Sequence, residues 1–168
     1  EEDRPNPSNF YGYTKLEGEK IVASSGLEHI IARASVIYGA RPARGKVNFA
    51  LWVLEKLGKG EEVNILIDQY VSPTLNTNLA EMLLEACDKR LAGTYHMAGA
   101  TRISRYEFAS ELAKSFNQNR SLIKAAHMKD MNWTAKRPAD SSLNIDKARN
   151  VLEAKPLELQ PAIKILKE

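Results

Sequence analysis

Tyr11-Gly-Tyr-Thr-Lys-Leu-Glu-Gly-Glu19 is the stretch on which the reading of this chain turns. It sets a phenol, Tyr11, and an ammonium, Lys15, four positions apart at the start of an amphipathic helix, and side chains at that spacing share one helix face. In isolation a phenol titrates near ~10 and an ammonium near ~10.4. A cation held beside Tyr11 favours the phenolate and makes the hydroxyl a usable acid or base near neutrality. The approach, Pro5-Asn-Pro-Ser-Asn9, is broken by proline and ends in good helix-capping residues, so the helix has a defined start. The second tyrosine, Tyr13, points elsewhere on the helix and is given no role.

Forward of the motif the helix runs to about Ser24, Gly26 stops it, and His29-Ile-Ile-Ala-Arg33 reads as a buried parallel strand. A helix feeding a parallel strand through a short loop is half of a βαβ unit, which makes the chain α/β and implies sheet partners preceding Glu1. The strand continues into Arg33-Ala-Ser-Val-Ile-Tyr-Gly39. Ligands of such folds lie beyond the carboxyl ends of the strands, which places Ala34, Ser35 and Val36 near a cofactor. Apolar residues at helical spacing predict a core helix over Val47 to Gly60, followed by a strand over Val63 to Ile67. The loop Asp68 to Thr74 then delivers the chain to a helix over Asn76 to Asp88, with Pro73 where a first helical turn tolerates a missing donor.

Gly93 to Gly99 alternates and is bounded by glycine, as a strand would be. Ser104 and Glu107 form a capping box for the next helix. Arg137-Pro-Ala-Asp140 introduces a short helix over Ile145 to Leu152, before a last helix over Glu158 to Leu166. A guanidinium fixed beside Pro138 is a suitable clamp for a diphosphate. Its alternative is a surface pair with Asp140, which would be worth little.

Composition bounds the remaining choices. The 168 residues suffice for one domain with a core, and 43% hydrophobic with 27% charged residues is a globular balance. No apolar run approaches the ~20 residues of a membrane span. A net charge of +3, scattered among acids, indicates neither a nucleic-acid surface nor a membrane-binding face. The single cysteine, Cys87, excludes an internal disulfide and fits a reducing compartment, with cytoplasm as the default. His29, His96 and His127 lack acidic or cysteine neighbours at ligand spacing, so they read as structural and no metal site is expected.

The run Tyr11-Gly-x-Thr-Lys-Leu-x-Gly-Glu19 resembles the active-site helix of the extended short-chain dehydrogenase/reductase family, in its dTDP-4-dehydrorhamnose reductase branch. Asp68-Gln-x-x-Ser-Pro-Thr74, Gly93-x-Tyr-His-x-Ala-Gly99 and the Ser104-x-Tyr-Glu-Phe-Ala109 helix continue the likeness in order. The resemblance implies the end of a Rossmann-type cofactor domain over residues 1–40 and mainly a substrate-binding lobe over 41–168, with some segments returning to the cofactor sheet. It implies NADP- or NAD-dependent reduction of a 4-keto-6-deoxy sugar nucleotide, with Tyr11 as the acid. Lys15 would hold the nicotinamide ribose. Ala34, Ser35 and Val36 would line the cofactor, and Val36, Arg137 and Asp140 would meet the nucleotide-sugar. The branch often carries Trp where Val36 stands. A homodimer fits the resemblance, although no metal-bridging acids map onto this chain.

The 168 residues contain no Gly-x-x-Gly-x-x-Gly after a strand and no upstream Ser or Thr of the family's catalytic set. The chain therefore reads as the carboxyl-terminal portion of such an enzyme, expected to be inactive alone. Two other readings stay open. One is a non-catalytic reductase-like subunit, as in the regulatory subunit of methionine adenosyltransferase, and the other is a sugar-nucleotide epimerase or dehydratase.

Overall fold

A computed structural model describes residues 1–42 and 45–168. The first helix, α1 (Phe10–Ala23), begins where the sequence predicts: the Asn9 side chain accepts a hydrogen bond from the Gly12 N–H at 2.8 Å. It leads into β1 (Ile30–Arg33), β2 (Ile37–Tyr38), α2 (Phe49–Gly58), β3 (Val63–Leu66), β4 (Tyr70–Val71) and β5 (Thr74–Leu75). After α3 (Asn76–Asp88) come β6 (Gly93–His96), β7 (Ile103–Ser104), α4 (Arg105–Ser115), β8 (Ile123–Ala126), α5 (Asp146–Val151) and α6 (Leu159–Lys167). Among the described residues the strands form pairs: β1 with β6, β2 with β5 and β3 with β8 in parallel, and β4 with β7 antiparallel. Parallel pairs joined through helices make this the α/β architecture that the Tyr11 helix and its following strand predict.

Three apolar clusters hold these elements together. In the first, Tyr38 and Phe108 meet edge to face at 5.2 Å, between α4, α6 and the β2–β5 pair. In the second, Val53 and Leu57 of α2 pack on Val63, Ile65 and Ile123 of the β3–β8 pair. The third joins Leu79 and Met82 of α3 to Tyr95, Met97, Ala148 and Leu152. The capping box of α4 forms as expected, with the Ser104 hydroxyl accepting from the Glu107 N–H and the Glu107 carboxylate accepting from the Ser104 N–H. Close backbone packing explains Gly99, where a Cβ would lie 1.8 Å from the Pro73 carbonyl oxygen.

Three expectations change. β1 is half-buried throughout, since β6 is its one strand partner among the described residues. Pro73 is not a first-turn proline: Thr74 and Leu75 pair with β2, and α3 starts at Asn76. The histidines are not all packed. His127 is exposed, with Nδ1 3.4 Å from the Asp68 carboxylate, and the half-buried His29 faces the Leu27 carbonyl at 2.8 Å.

Helix α1 is attached differently from the others, for none of its residues is buried. Its main tie to β1 is a two-pronged ion pair, Arg33 Nε to Glu19 Oε1 at 2.8 Å and Nη2 to Oε2 at 2.6 Å. The Arg33 hydrogen bonds, followed by its charge, hold the Glu19 carboxyl below its ordinary range against the opposing effect of burial. A carboxylate depressed in the folded state contributes stability that is present above its unfolded pKa of ~4.3 and is lost as pH falls through the folded value. Glu19→Gln should therefore cost stability at about pH 7 and progressively less in acid. Urea titrations at stepwise lower pH check this, and parallel wild-type and variant curves would disprove the coupling.

Candidate active site

Tyr11 and Arg137 come from opposite ends of the chain and line one cleft of about 620 Å³, together with Asn6 to Phe10, Gly12, Ala135 and Pro138. The proline-broken approach to α1 forms one wall, and the segment before α5 forms the other. Asn9 bridges them: its side-chain amide donates to the Lys136 carbonyl at 2.8 Å while its oxygen caps α1. One residue thus fixes both the helix start and the position of the Arg137 segment. On α1 the Lys15 ammonium lies 5.4 Å from the centre of the Tyr11 ring, the proximity that their spacing predicts. Lys15 itself lines an adjoining hollow of about 240 Å³ that shares Asn6, Pro7 and Gly12 with the cleft.

The Arg137 guanidinium packs over the Trp133 ring at 5.1 Å, and among the described residues no carboxylate pairs with it. Asp140 does not join it. Its carboxylate is taken by Arg102, at 2.9 Å from Nε and 2.7 Å from Nη2, and by the Ser142 N–H and hydroxyl at 2.9 and 2.6 Å. Burial pushes the Asp140 pKa up, but Ser142 and Arg102 together outweigh it and hold the group below its usual value. Asp140 thus serves as an anchor for the segment that carries Arg137.

Ala34, Ser35 and Val36 lie at the carboxyl end of β1, outside the lining of that cleft. Ser35 is buried, and its hydroxyl donates to the Ser141 carbonyl at 2.9 Å and accepts from the Ser72 N–H at 3.2 Å. A contact from this segment to a cofactor is left to Ala34 and Val36 and to the backbone. Val36 has φ +28°, an unusual conformation for a β-branched residue, and such strain costs about 1–3 kcal/mol and gathers at functional sites. Tyr38 is in the core; burial pushes its hydroxyl pKa up. His96 rests its Nδ1 against the Asn144 carbonyl at 2.9 Å. Among the described residues no three of His, Cys, Asp and Glu gather as metal ligands, and no helix is long and apolar enough to cross a membrane.

Sequence reasoning quoted Gln69 within the Asp68-Gln-x-x-Ser-Pro-Thr74 motif without giving it a role, and did not single out Arg105. Buried Gln69 donates to the Pro138 carbonyl at 3.2 Å and accepts from Arg105 Nε at 2.6 Å, so it ties α4 to the Arg137 segment. The available signal was Arg105 itself, a cation at the first position of a helix, where the dipole disfavours it.

Residues 1–167 match the family described as the RmlD substrate binding domain. The chain belongs to that family. One relative of this RmlD-family chain, the probable low-salt glycan biosynthesis reductase Agl14 of Haloferax volcanii, is 31% identical over 153 residues, which are 90% of this chain and 51% of the relative. The dTDP-4-dehydrorhamnose reductase of Bacillus anthracis, solved in complex with NADP, superposes with a TM-score of 0.90 at 25% identity, covering 99% of this chain and 58% of that one. Methionine adenosyltransferase 2 subunit beta of Bos taurus is 29% identical over 86% of this chain and 44% of its own length. The RmlD-family chain described here spans about half the length of the curated relatives it matches.

Proposed function

We propose that this chain supplies the proton-donating helix and the substrate lobe of an NADPH- or NADH-dependent reductase acting on a 4-keto-6-deoxy sugar nucleotide. The observation that supports the reading is the shared cleft, whose lining includes both Tyr11 and Arg137. When bound, the nicotinamide supplies the hydride that attacks the carbonyl carbon. Tyr11 donates its proton to the carbonyl oxygen as negative charge develops there, and the ketone becomes an alcohol. Lys15 would hold the nicotinamide ribose by a hydrogen bond, with its ammonium 5.4 Å from the centre of the Tyr11 ring. Arg137 holds the substrate diphosphate through two parallel N–H bonds, on a side chain steadied by Trp133. The residues fit a dinucleotide's nicotinamide end; a glycine-rich cradle for its pyrophosphate is not in these 168 residues.

Residues 1–40 then belong with a cofactor domain, and residues 41–168 mainly with the substrate lobe. The pairing of β1 with β6 supports the accompanying expectation that some segments after residue 40 return to the cofactor sheet. A cytoplasmic setting agrees with the lone thiol of Cys87. The reductase reading is preferred over a purely regulatory subunit because Tyr11 and Arg137 line one cleft, Lys15 lines the hollow beside it, and among the described residues no carboxylate pairs with Arg137. It is tested by joining the chain to a cofactor-binding half and following NADPH oxidation with dTDP-4-dehydro-6-deoxy sugars. Tight cofactor binding with no substrate-dependent oxidation would favour the regulatory alternative.

A further inference from the structure

Residues 127–141 leave the body of the molecule and return to it at nearly the same point. Where they leave, the Ile67 N–H donates to the Ala126 carbonyl at 3.0 Å, and the Asp68 carboxylate accepts from the Met128 N–H at 2.9 and 3.1 Å. Where they return, Gln69 donates to the Pro138 carbonyl at 3.2 Å, the Tyr70 N–H to the Ala139 carbonyl at 2.7 Å, and the Ser141 N–H to the Tyr70 carbonyl at 3.0 Å. The consecutive residues Ile67 to Tyr70 thus hold both ends of the excursion, as in a surface loop with a closed neck.

Between its ends the loop is held by itself. The N–H groups of Asp130, Met131 and Trp133 donate to the carbonyls of His127, Met128 and Met131 at 3.0, 3.2 and 3.1 Å, and Arg137 covers the Trp133 ring. From Met131 to Arg137 every residue but Trp133 is exposed. Among the described residues one hydrogen bond joins 129–137 to the chain outside the loop, from the Asn9 side-chain amide to the Lys136 carbonyl at 2.8 Å. The loop carries Ala135, Arg137 and Pro138 into the lining of the cleft, and Asn9 lies on the facing wall. That wall is locally stiff: Pro5 and Pro7 fix two of its φ angles, and a Cβ on Gly12 would lie 3.1 Å from the Pro7 Cβ, so the approach and the first turn of α1 fit together as one piece. Movement of one wall against the other therefore falls to the loop, opposed by a single exposed hydrogen bond. Such a bond shifts an equilibrium by about two- to tenfold, which holds the loop closed and lets it open readily.

We propose that residues 129–137 are a strap over the cleft, hung on Ile67 to Tyr70 and latched at Lys136 by the Asn9 amide, which opens to admit a ligand and closes behind it. Asn9 is then a positioning residue with two separable duties. Its oxygen starts the helix of Tyr11 and its nitrogen holds the strap, so closure returns the Arg137 segment to one place relative to Tyr11. Only the identity of the ligand rests on the reductase reading; the strap and its latch rest on the hydrogen bonds.

Asn9→Ser separates the two duties, since serine caps a helix about as well as asparagine but its shorter side chain leaves the Lys136 carbonyl unlatched. Limited trypsin digestion of the chain, read by mass spectrometry, should cut the Lys136–Arg137 bond about two- to tenfold faster in this variant, because cleavage follows the open population. Amide exchange in α4 should keep its wild-type rate. Stopped-flow binding of dTDP should show association and dissociation both faster by about the same factor, with affinity nearly kept. Asn9→Asp also keeps the cap and cannot donate to Lys136; it should match Asn9→Ser in the digestion, and it decides if Asn9→Ser does not fold. Wild-type cleavage at Lys136 in either folded variant, an equal acceleration of exchange in α4, or an unchanged association rate for bound dTDP would overturn the strap. Faster cleavage at Lys136 with no binding of dTDP defeats the nucleotide reading alone.

Discussion

Tyr11→Phe, in the polypeptide joined to a cofactor-binding half, should lower kcat by about 10²- to 10⁴-fold while cofactor affinity stays close to wild type. The substitution removes one oxygen from a side chain that is 70% exposed in this chain, so neither the fold nor the contact area pays for it. What disappears is the proton that the forming alkoxide needs. Without it the proton must come from water or from the Lys15 ammonium, neither of which the Tyr11 position would hold at the carbonyl oxygen. The kinetic signature is a fall in kcat and in kcat/KM together, because a proton in transfer is an interaction made in the transition state. Steady-state rates within about threefold of wild type would remove Tyr11 from the reaction.

Arg137→Ala should act on the other kinetic constant. A charge-assisted, two-pronged contact to a diphosphate is worth about 1.5–3 kcal/mol, which is roughly 10- to 150-fold in affinity. The diphosphate is remote from the carbonyl and is held alike in ground and transition states, so the loss should appear in KM for the nucleotide-sugar. Nicotinamide affinity should not follow it. Asp140→Asn is a useful contrast, because Asp140 is bound to Arg102 and Ser142 and lies outside the cleft lining. Its effect should arise through movement of the Arg137 segment. Calorimetry with dTDP separates the two, and unchanged binding in Arg137→Ala would return that residue to the ordinary surface.

The parts of this molecule that local chemistry dictates were legible in the sequence. Asn9 before α1, the Ser104–Glu107 box before α4 and the apolar spacing of α2 each specify an element through neighbours a few residues away, and each appears in place. β8 was not legible. Ile123-Lys-Ala-Ala126 contains helix-favouring residues and little alternation, and it is a strand because its backbone pairs with Val63 to Leu66. The site divides in the same way. Tyr11 and Lys15 declare themselves by spacing within one helix, whereas the partner of Asp140 could not be read locally. Arg102 reaches that carboxylate only because the β4–β7 pair and the Tyr70 ring, 4.0 Å from its guanidinium carbon, bring it there. The hydrogen bonds of Ser35 could not be read locally either. Its address at a strand end suggested a ligand contact, and tertiary hydrogen bonds to Ser72 and Ser141 engage the hydroxyl.

The absence of buried residues on α1 bears on how the site comes to order. Amide hydrogen exchange reports the free energy of local opening, and a helix held by few apolar contacts opens without waiting for the whole molecule. The α1 amides should therefore exchange far sooner than those of α4, whose Phe108, Ala109, Leu112 and Ala113 lie in the core. Tyr11 and Lys15 ride on the looser of the two. Any molecule that rests on α1 meets the entropy of stiffening it once, and a second ligand arriving at the stiffened helix is spared that cost. Two ligands that both rest on α1 of this chain would in this way raise each other's affinity without touching, through the order of a single helix.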